Sequence, residues 1–149
     1  MATVRTAGTE IIRTSHNVYT DATTTEIPLI YGVQYHIYTI LSIICYGNTA
    51  DCAITLFLKG YTADAGTTDT TIYLLRNELV GGENTFVWND KFSFNGFEPV
   101  DFTGPMDDAT KQDAIADQES SVAQVLYAKK AANGDQFHIH TTFIDQNNS

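Results

Sequence analysis

Apolar and polar residues alternate along most of this 149-residue chain, in short segments that Gly, Asn, Asp and Thr separate. A period of two residues is typical of β-strands that bury one face. The clearest example is residues 136–144, which carry mainly apolar side chains on one face and two imidazoles on the other. The mainly apolar face consists of Phe137, Ile139, Thr141 and Phe143, and the opposite face carries His138 and His140.

Turn sequences next to these segments predict two β-hairpins. Asn133-Gly134 separates residues 122–127 from residues 136–144 and favours a type I′ turn, which needs positive φ at both central positions. Gly47-Asn48 is expected to join the two strands on either side of it, 36–46 and 51–60, in the same way. The segment 36–46 is apolar on both faces, which predicts a central strand covered on both sides.

Shorter segments complete the prediction of an all-β fold. Residues 16–20, 26–31 and 70–75 are further strands, and Pro28 places the second of them at a sheet edge. Residues 85–94 alternate well and are expected to bend near Asn89-Asp90. Seven or eight strands at this spacing predict an antiparallel β-sandwich, jelly-roll or immunoglobulin-like. The predicted core is Leu41, Ile43, Ile54, Leu56, Phe86, Trp88, Phe137 and Ile139.

Two segments fall outside the sandwich pattern. Residues 1–15 are Thr-rich and predict an N-terminal arm, so that residues 16–149 form a single domain. Residues 95–121 contain Gly96 and Pro99, which argue against regular structure at their start. Further on, Asp107-Asp108 is expected to cap a short helix over residues 109–116. We therefore predict an irregular, partly helical insertion.

Charge and targeting signals restrict the function classes. A formal net charge of −10 disfavours nucleic acid and anionic membranes as partners, since both require a basic surface. No apolar stretch is long enough to span a membrane, and the first residues lack a signal-peptide pattern, so we expect cytosolic synthesis. Cys45 and Cys52 are then expected to be buried thiols, although a disulfide between them is sterically possible.

The histidines are the best candidates for a metal site. His138 and His140 lie two residues apart on one strand, and His36 on the long strand could supply a third ligand for zinc. A plain pair of surface imidazoles explains the same pattern. The acidic residues of the insertion lack the alternate spacing of a calcium loop, so a solvated acidic face is the simpler interpretation. We expect no cofactor and no required metal.

No catalytic arrangement is evident in the sequence. There is no strand–Gly-x-Ser-x-Gly–helix context for a nucleophilic serine, and Cys45 and His36 lie on opposite faces of their strand. Trp88 with Phe86 and Phe92 could stack on sugar rings, but their alternation favours a place in the core. We therefore predict that the protein is not an enzyme.

The order of these elements resembles that of small virion structural proteins of tailed bacteriophages over residues 16–145. The matching elements are Val18-Tyr19-Thr20, residues 37–48 and 53–59, Val80-Gly81-Gly82, and Ala132-Asn133-Gly134-Asp135 followed by residues 136–145. Residues 95–121 depart from the usual compact middle of that family. The resemblance implies a non-enzymatic β-sandwich of the head surface, neck or tail.

The resemblance leads to a functional expectation with one alternative. We expect a capsid decoration (cement) protein that binds and stabilises the shell of major capsid protein, made in the host cytoplasm and located in the virion. The alternative is a neck, tail or fibre component, such as a carbohydrate- or receptor-binding β-sandwich. The partners would be the major capsid protein or other virion proteins, and a homotrimer is expected. Predicted partner-binding residues are Val4, Ile11, Ile12, Asp107, Asp108 and Asp113.

Overall fold

The computed structural model describes residues 9–19, 26–47, 51–62, 67–99, 109–110, 121–130 and 136–148. These residues form strands and almost no helix, which confirms the all-β class. The strands are β1 (Thr9–Tyr19), β2 (Ile27–Tyr31), β3 (His36–Gly47), β4 (Cys52–Thr62), β5 (Thr67–Val80), β6 (Thr85–Trp88), β7 (Phe92–Asn95), β8 (Phe97–Pro99), β9 (Ser121–Ala123), β10 (Val125–Lys130) and β11 (Phe137–Asn147).

The strands form two larger antiparallel sheets and one short ladder. Sheet A has the order β1-β11-β3-β6, and β7 also pairs with β3 beyond the end of β6. Sheet B has the order β2-β10-β4-β5, and β8 pairs with β9 separately. One cluster of buried apolar side chains draws on both larger sheets, so the two sheets share a core.

Most of the predicted core is in place. Side chains at five of the eight predicted positions are fully buried, namely Ile43, Ile54, Leu56, Phe137 and Ile139. Phe86 and Trp88 are half-buried and pack against this cluster. The indole N–H of Trp88 donates to the carbonyl of Asp90 at 2.9 Å. The core therefore follows the alternating apolar faces of the strands.

Leu41 is the exception, because β3 contains a bulge. The register passes from Ser42 opposite Thr142 to Ile40 opposite Phe143, which leaves Leu41 without a partner on β11. An extra residue in one strand reverses the face of every side chain beyond it. Ile40 is accordingly buried and Leu41 is only half-buried. This bulge also explains why β3 has apolar residues on both faces.

Both predicted hairpins are wrong, although their strands exist. β3 belongs to sheet A and β4 to sheet B, so the chain crosses between the sheets after Gly47. β10 and β11 likewise lie in different sheets, and Asn133-Gly134 lies outside the described residues. A short connection between two apolar segments can cross the roughly 10 Å between packed sheets as well as turn back within one sheet.

β1 corrects the predicted extent of the N-terminal arm, and β2 confirms the predicted edge strand. β1 begins at Thr9, so residues 9–15 of the predicted arm pair with β11, and residues 1–8 lie outside the described part. β2 is an edge strand of sheet B, as Pro28 predicted, and its register with β10 shifts near that proline. The predicted strand 85–94 is interrupted where a bend was expected, between β6 and β7.

The start of the predicted insertion is regular, not irregular. β8 contains Pro99 and pairs with β9, so a two-stranded ladder forms the base of this segment. Two backbone hydrogen bonds join it to the rest of the fold, from the N–H of Gly32 to the carbonyl of Gln124 and from the N–H of Gly96 to the carbonyl of His36, both 2.8 Å. Ala109 and Thr110 are helical, and residues 111–116 of the predicted helix lie outside the described residues.

Both cysteines are buried thiols, as cytosolic synthesis predicted. Burial, followed by the neighbouring Cys52, raises the pKa of the Cys45 thiol to about 12. The thiolate is the reactive form, so Cys45 is unsuited to nucleophilic chemistry. Within the described part of the chain, no helix has the length and hydropathy to cross a membrane.

Candidate functional site

The free side of β1 is an open sheet edge. β1 pairs with β11 over all eleven of its residues without a register shift, and no other described strand lies beside it in sheet A. Natural proteins usually protect such edges with Pro, Lys or bulges, because unpaired backbone groups can pair with another chain. β1 has no Pro, no Lys and no bulge, and its exposed charges are Glu10 and Arg13, of which Arg13 pairs with Asp145. Its backbone can therefore pair with a further strand.

Two of the predicted partner-binding residues lie on this edge strand. Ile11 and Ile12 are 57% and 69% exposed and point to opposite faces of β1. Exposed isoleucines on an open edge offer apolar contact on both sides of an incoming strand. Val4 and the three predicted aspartates of the insertion, Asp107, Asp108 and Asp113, lie outside the described residues.

A buried carboxylate fixes β1 to the centre of sheet A. Asp145 of β11 is 8% exposed and contacts His36 Nδ1 at 2.6 Å and Arg13 Nη1 at 3.3 Å. Burial, and secondly the charge of Asp145, raises the pKa of Tyr38 nearby. Because the Arg13 side chain is 61% exposed, its ion pair contributes no more than about 1 kcal/mol. The histidine–carboxylate contact is the more buried part of this anchor.

The register of β3 and β11 separates His36 from His138 and His140, the other two candidates for a zinc site. His36 pairs with Asn147, whereas His140 pairs with Ile44, eight residues further along β3. At about 3.3 Å per strand residue the two positions are roughly 26 Å apart. His36, His138 and His140 therefore cannot share one metal ion, which removes this candidate for a zinc site.

The third imidazole beside His138 and His140 is His16 of β1, which the sequence did not indicate. His16 stacks on His140 with ring centroids 4.1 Å apart and planes 10° apart, and on His138 at 5.3 Å. Tyr46 of β3 stacks on His138 from the other side at 4.7 Å. We call these four residues the imidazole cluster. It lies on the outer face of sheet A, where His16 and His140 are directly opposed.

The hydrogen bond between two rings of the cluster requires one unprotonated nitrogen. His16 Nε2 and His138 Nδ1 are 3.1 Å apart, so one nitrogen must donate and the other accept. Tyr46 OH lies 3.2 Å from His140 Nε2, and which of the two atoms donates depends on the tautomer of His140. Desolvation, and then the neighbouring His16 and His138, lower the pKa of His140. Full protonation would therefore leave stacked positive rings with no acceptor nitrogen between them.

The cluster is not arranged as a metal site. Its rings lie face to face, whereas metal ligands direct their lone pairs at one common point. Among the described residues, no group of three His, Cys, Asp or Glu side chains is placed to hold a metal ion. The arrangement is suited to responding to protons.

We expect acidification to destabilise the protein through this cluster. The pKa of His140 lies below its ordinary value of 6.5 in the folded chain, so the unfolded chain binds more protons below that pH. This contribution to stability is present above pH 6.5 and is lost as the pH falls through the lowered pKa. Thermal melting of wild type and His140→Gln between about pH 7.5 and about pH 5 should show a smaller loss in the variant.

Thr142→Gln is the matched control for this measurement. Thr142 lies on the same strand and the same outer face, two residues from His140, and its substitution retains all imidazoles. Among the described residues, the neighbouring outer-face side chains on β1 and β6 are uncharged, namely Val18, Thr85 and Val87. An equal pH dependence in His140→Gln and Thr142→Gln would contradict the role given to the cluster.

Comparisons with known proteins add evidence on the fold. No known protein family matches the chain. No curated protein matches it either. Among solved structures, a chain of infectious bursal disease virus, Gx strain, is similar over 99% of this chain at a TM-score of 0.52 and 9% identity. This chain covers 35% of that viral chain.

A second similar structure comes from the Bacillus endospore appendages, described as a novel family of disulfide-linked pili. It covers 99% of this chain and 96% of its own at 12% identity, with a TM-score of 0.45. At these identities and scores, the viral match supports a shared fold and the appendage match carries no argument. The fold is therefore one that also occurs in a component of a virus.

Proposed function

We propose that this chain is a non-enzymatic virion structural protein of the capsid decoration (cement) type, which attaches to neighbouring shell subunits through the open edge of β1. The observation that carries the proposal is this long edge strand, which has no Pro, no Lys and no bulge and exposes Ile11 and Ile12 on its two faces. An incoming strand would gain backbone hydrogen bonds along the edge and apolar contact beside it. A shell protein with an extended segment offers such a strand.

Three further observations support a structural role. The fold is shared with a chain of a virus. The net charge of −10 keeps free copies soluble before assembly. The sequence resemblance to tailed-phage virion proteins favours a phage particle as the location, with the major capsid protein as the partner and a homotrimer as the attached form. A neck or tail position is the alternative within the same class.

A charge placed on the edge tests this function. Ile12→Lys introduces the residue that natural edge strands use against pairing, at a side chain that is already 69% exposed. We expect the monomer to fold normally and its binding to shell particles assembled without this chain to fall at least about tenfold, equal to about 1.4 kcal/mol. Co-sedimentation of labelled protein with such particles measures the binding.

Leu79→Lys is the matched control, because Leu79 is 64% exposed and lies on β5, one of the two edge strands of sheet B. It should bind the particles as wild type does. Loss of binding in Leu79→Lys with retention in Ile12→Lys would move the attachment to the other sheet. Retention in both variants would refute attachment through a sheet edge.

A further inference from the structure

A cleft of about 230 Å³ lies on the outer face of sheet B, away from the open edge of β1. Its lining combines aromatic, cationic and neutral polar side chains from three neighbouring strands. The lining residues that matter here are Thr55, Phe57, Tyr73, Arg76, Asn77 and Lys129. We propose that this cleft binds a single pyranose ring that carries a carboxylate, that is, an acidic sugar.

The wall of the cleft is a row of aromatic rings that crosses the sheet. Tyr127, Phe57 and Tyr73 are directly paired on β10, β4 and β5. Phe57 stacks on Tyr127 with centroids 5.4 Å apart and lies 6.1 Å from Tyr73, so it is only 3% exposed although it is on the outer face. Tyr73 itself is 51% exposed. An exposed ring held by its neighbours is a rigid platform for the apolar face of a sugar.

Two cations of this acidic protein, Arg76 and Lys129, line the cleft with exposed side chains. Lys130 also borders it, but its side chain is 1% exposed and it pairs with the buried Ile54, so it is not counted as a cation for the ligand. Glu26 also lines it, but its carboxylate is 3.8 Å from Lys59 Nζ. Within the described part of the chain, Arg76 and Lys129 form no ion pair with a carboxylate. Their charge is therefore available for an anionic ligand.

A bulge in β5 contains Arg76, whose guanidinium lies over the Tyr73 ring. Ile54 pairs with Glu78 and Leu56 with Leu75, so two residues of β5 lie opposite Thr55. Asn77 adopts a φ of 53°, and its N–H donates to Thr55 Oγ1 at 3.1 Å. Arg76 then lies with its guanidinium carbon 4.6 Å from the centre of the Tyr73 ring. Bulges of this kind re-aim side chains at binding sites.

The size and chemistry of the cleft indicate the ligand class. Its volume is below the roughly 300–1,000 Å³ of pockets for drug-sized molecules, so one ring fits and an extended ligand does not. Arg76 would bind the carboxylate with two parallel N–H donors, and Lys129 would add charge. Tyr73, 51% exposed, would contact the sugar with the part of its ring that the Arg76 guanidinium does not cover. The Thr55 hydroxyl is hydrogen-bonded to Asn77, so the side-chain amide of Asn77 is the neutral polar group beside the ring. A neutral sugar would leave the cations unused, and a simple anion would leave the platform unused.

Titration of the folded protein with glucuronic acid and with N-acetylneuraminic acid, followed by NMR, tests the proposal and separates two sources of the same chemistry. We expect at least one of them to bind, and glucose and phosphate to bind at least about tenfold more weakly. Arg76→Gln and Tyr73→Ala should each weaken that binding about tenfold or more. Equal binding of phosphate or of glucose, or no binding of either acid, would overturn the proposal.

Two matched variants check that the effects are local. Lys91→Gln removes an exposed cation outside the cleft, and Tyr31→Ala removes a 66% exposed tyrosine of β2. Both should bind the acid as wild type does, and weakening in them equal to that in Arg76→Gln and Tyr73→Ala would also overturn the proposal. Ile12→Lys should leave sugar binding unchanged, so failure of this site and failure of the β1 attachment can be told apart.

Discussion

Phe137→Ala is expected to destabilise the protein by about 3–5 kcal/mol, the usual cost of truncating a fully buried phenylalanine. The side chain is 1% exposed and belongs to the core that both sheets share. Its partners across the strands are Gly47 on β3 and Tyr19 on β1. Gly47 has no side chain that could move into the space, so the cavity should collapse little. Denaturant unfolding followed by circular dichroism measures the loss.

Val87→Ala is the control for this truncation. Val87 is an apolar strand residue of the same sheet, but it is 50% exposed on the outer face. Its substitution should change the stability by no more than about 0.5 kcal/mol. An unchanged unfolding curve for Phe137→Ala would mean that the inner face of β11 is wrongly assigned.

Gly32→Ala should have an effect of similar size for a different reason. A Cβ atom at Gly32 would overlap the backbone carbonyl oxygens of Gly96 and Gln124. The clash cannot be relieved by a side-chain rotation, and the N–H of Gly32 already donates to the carbonyl of Gln124 at 2.8 Å. Overpacking against fixed backbone costs up to about 3 kcal/mol, so we expect a loss near this value. Thermal melting and denaturant unfolding measure it.

Gly81→Ala is the control at another tight glycine. There the added Cβ atom would lie 2.7 Å from the side-chain nitrogen of Asn84, which can rotate away. Its cost should stay below about 1 kcal/mol. If Gly32→Ala were as mild as Gly81→Ala, the close backbone contact between Gly32, Gly96 and Gln124 would not exist in solution.

Much of the local structure follows from the sequence, because strand faces are set by a period of two. The buried face of β11, the exposed face of β6 and the edge position of β2 were all predicted from alternation and from Pro28. The bend between β6 and β7 was visible at Asn89-Asp90. The face of Leu41 could not be predicted from the sequence, because a single bulged residue reverses the alternation and has no signature in the composition.

The candidate sites depend on contacts that the sequence shows only in part. Ile11 and Ile12 were identified as apolar residues near the start of the chain, but their position on an open edge required the pairing of β1 with β11. The zinc candidate considered from the sequence grouped His138 and His140 with His36, since both strands are strongly patterned. The actual neighbour is His16, whose weakly patterned segment gave no reason to place it beside the last strand.

The sequence by itself determined the all-β class, most of the buried faces and the acidic surface, because each depends on side chains within a few residues of one another. The tertiary structure decided which strands pair, and it placed β3 and β4, and β10 and β11, in opposite sheets. A hairpin within one sheet and a crossing between two sheets both bury an apolar strand face. Alternation therefore cannot distinguish the two arrangements. That choice depends on burial summed over the whole core, and it also places the imidazole cluster on sheet A and the cleft on sheet B.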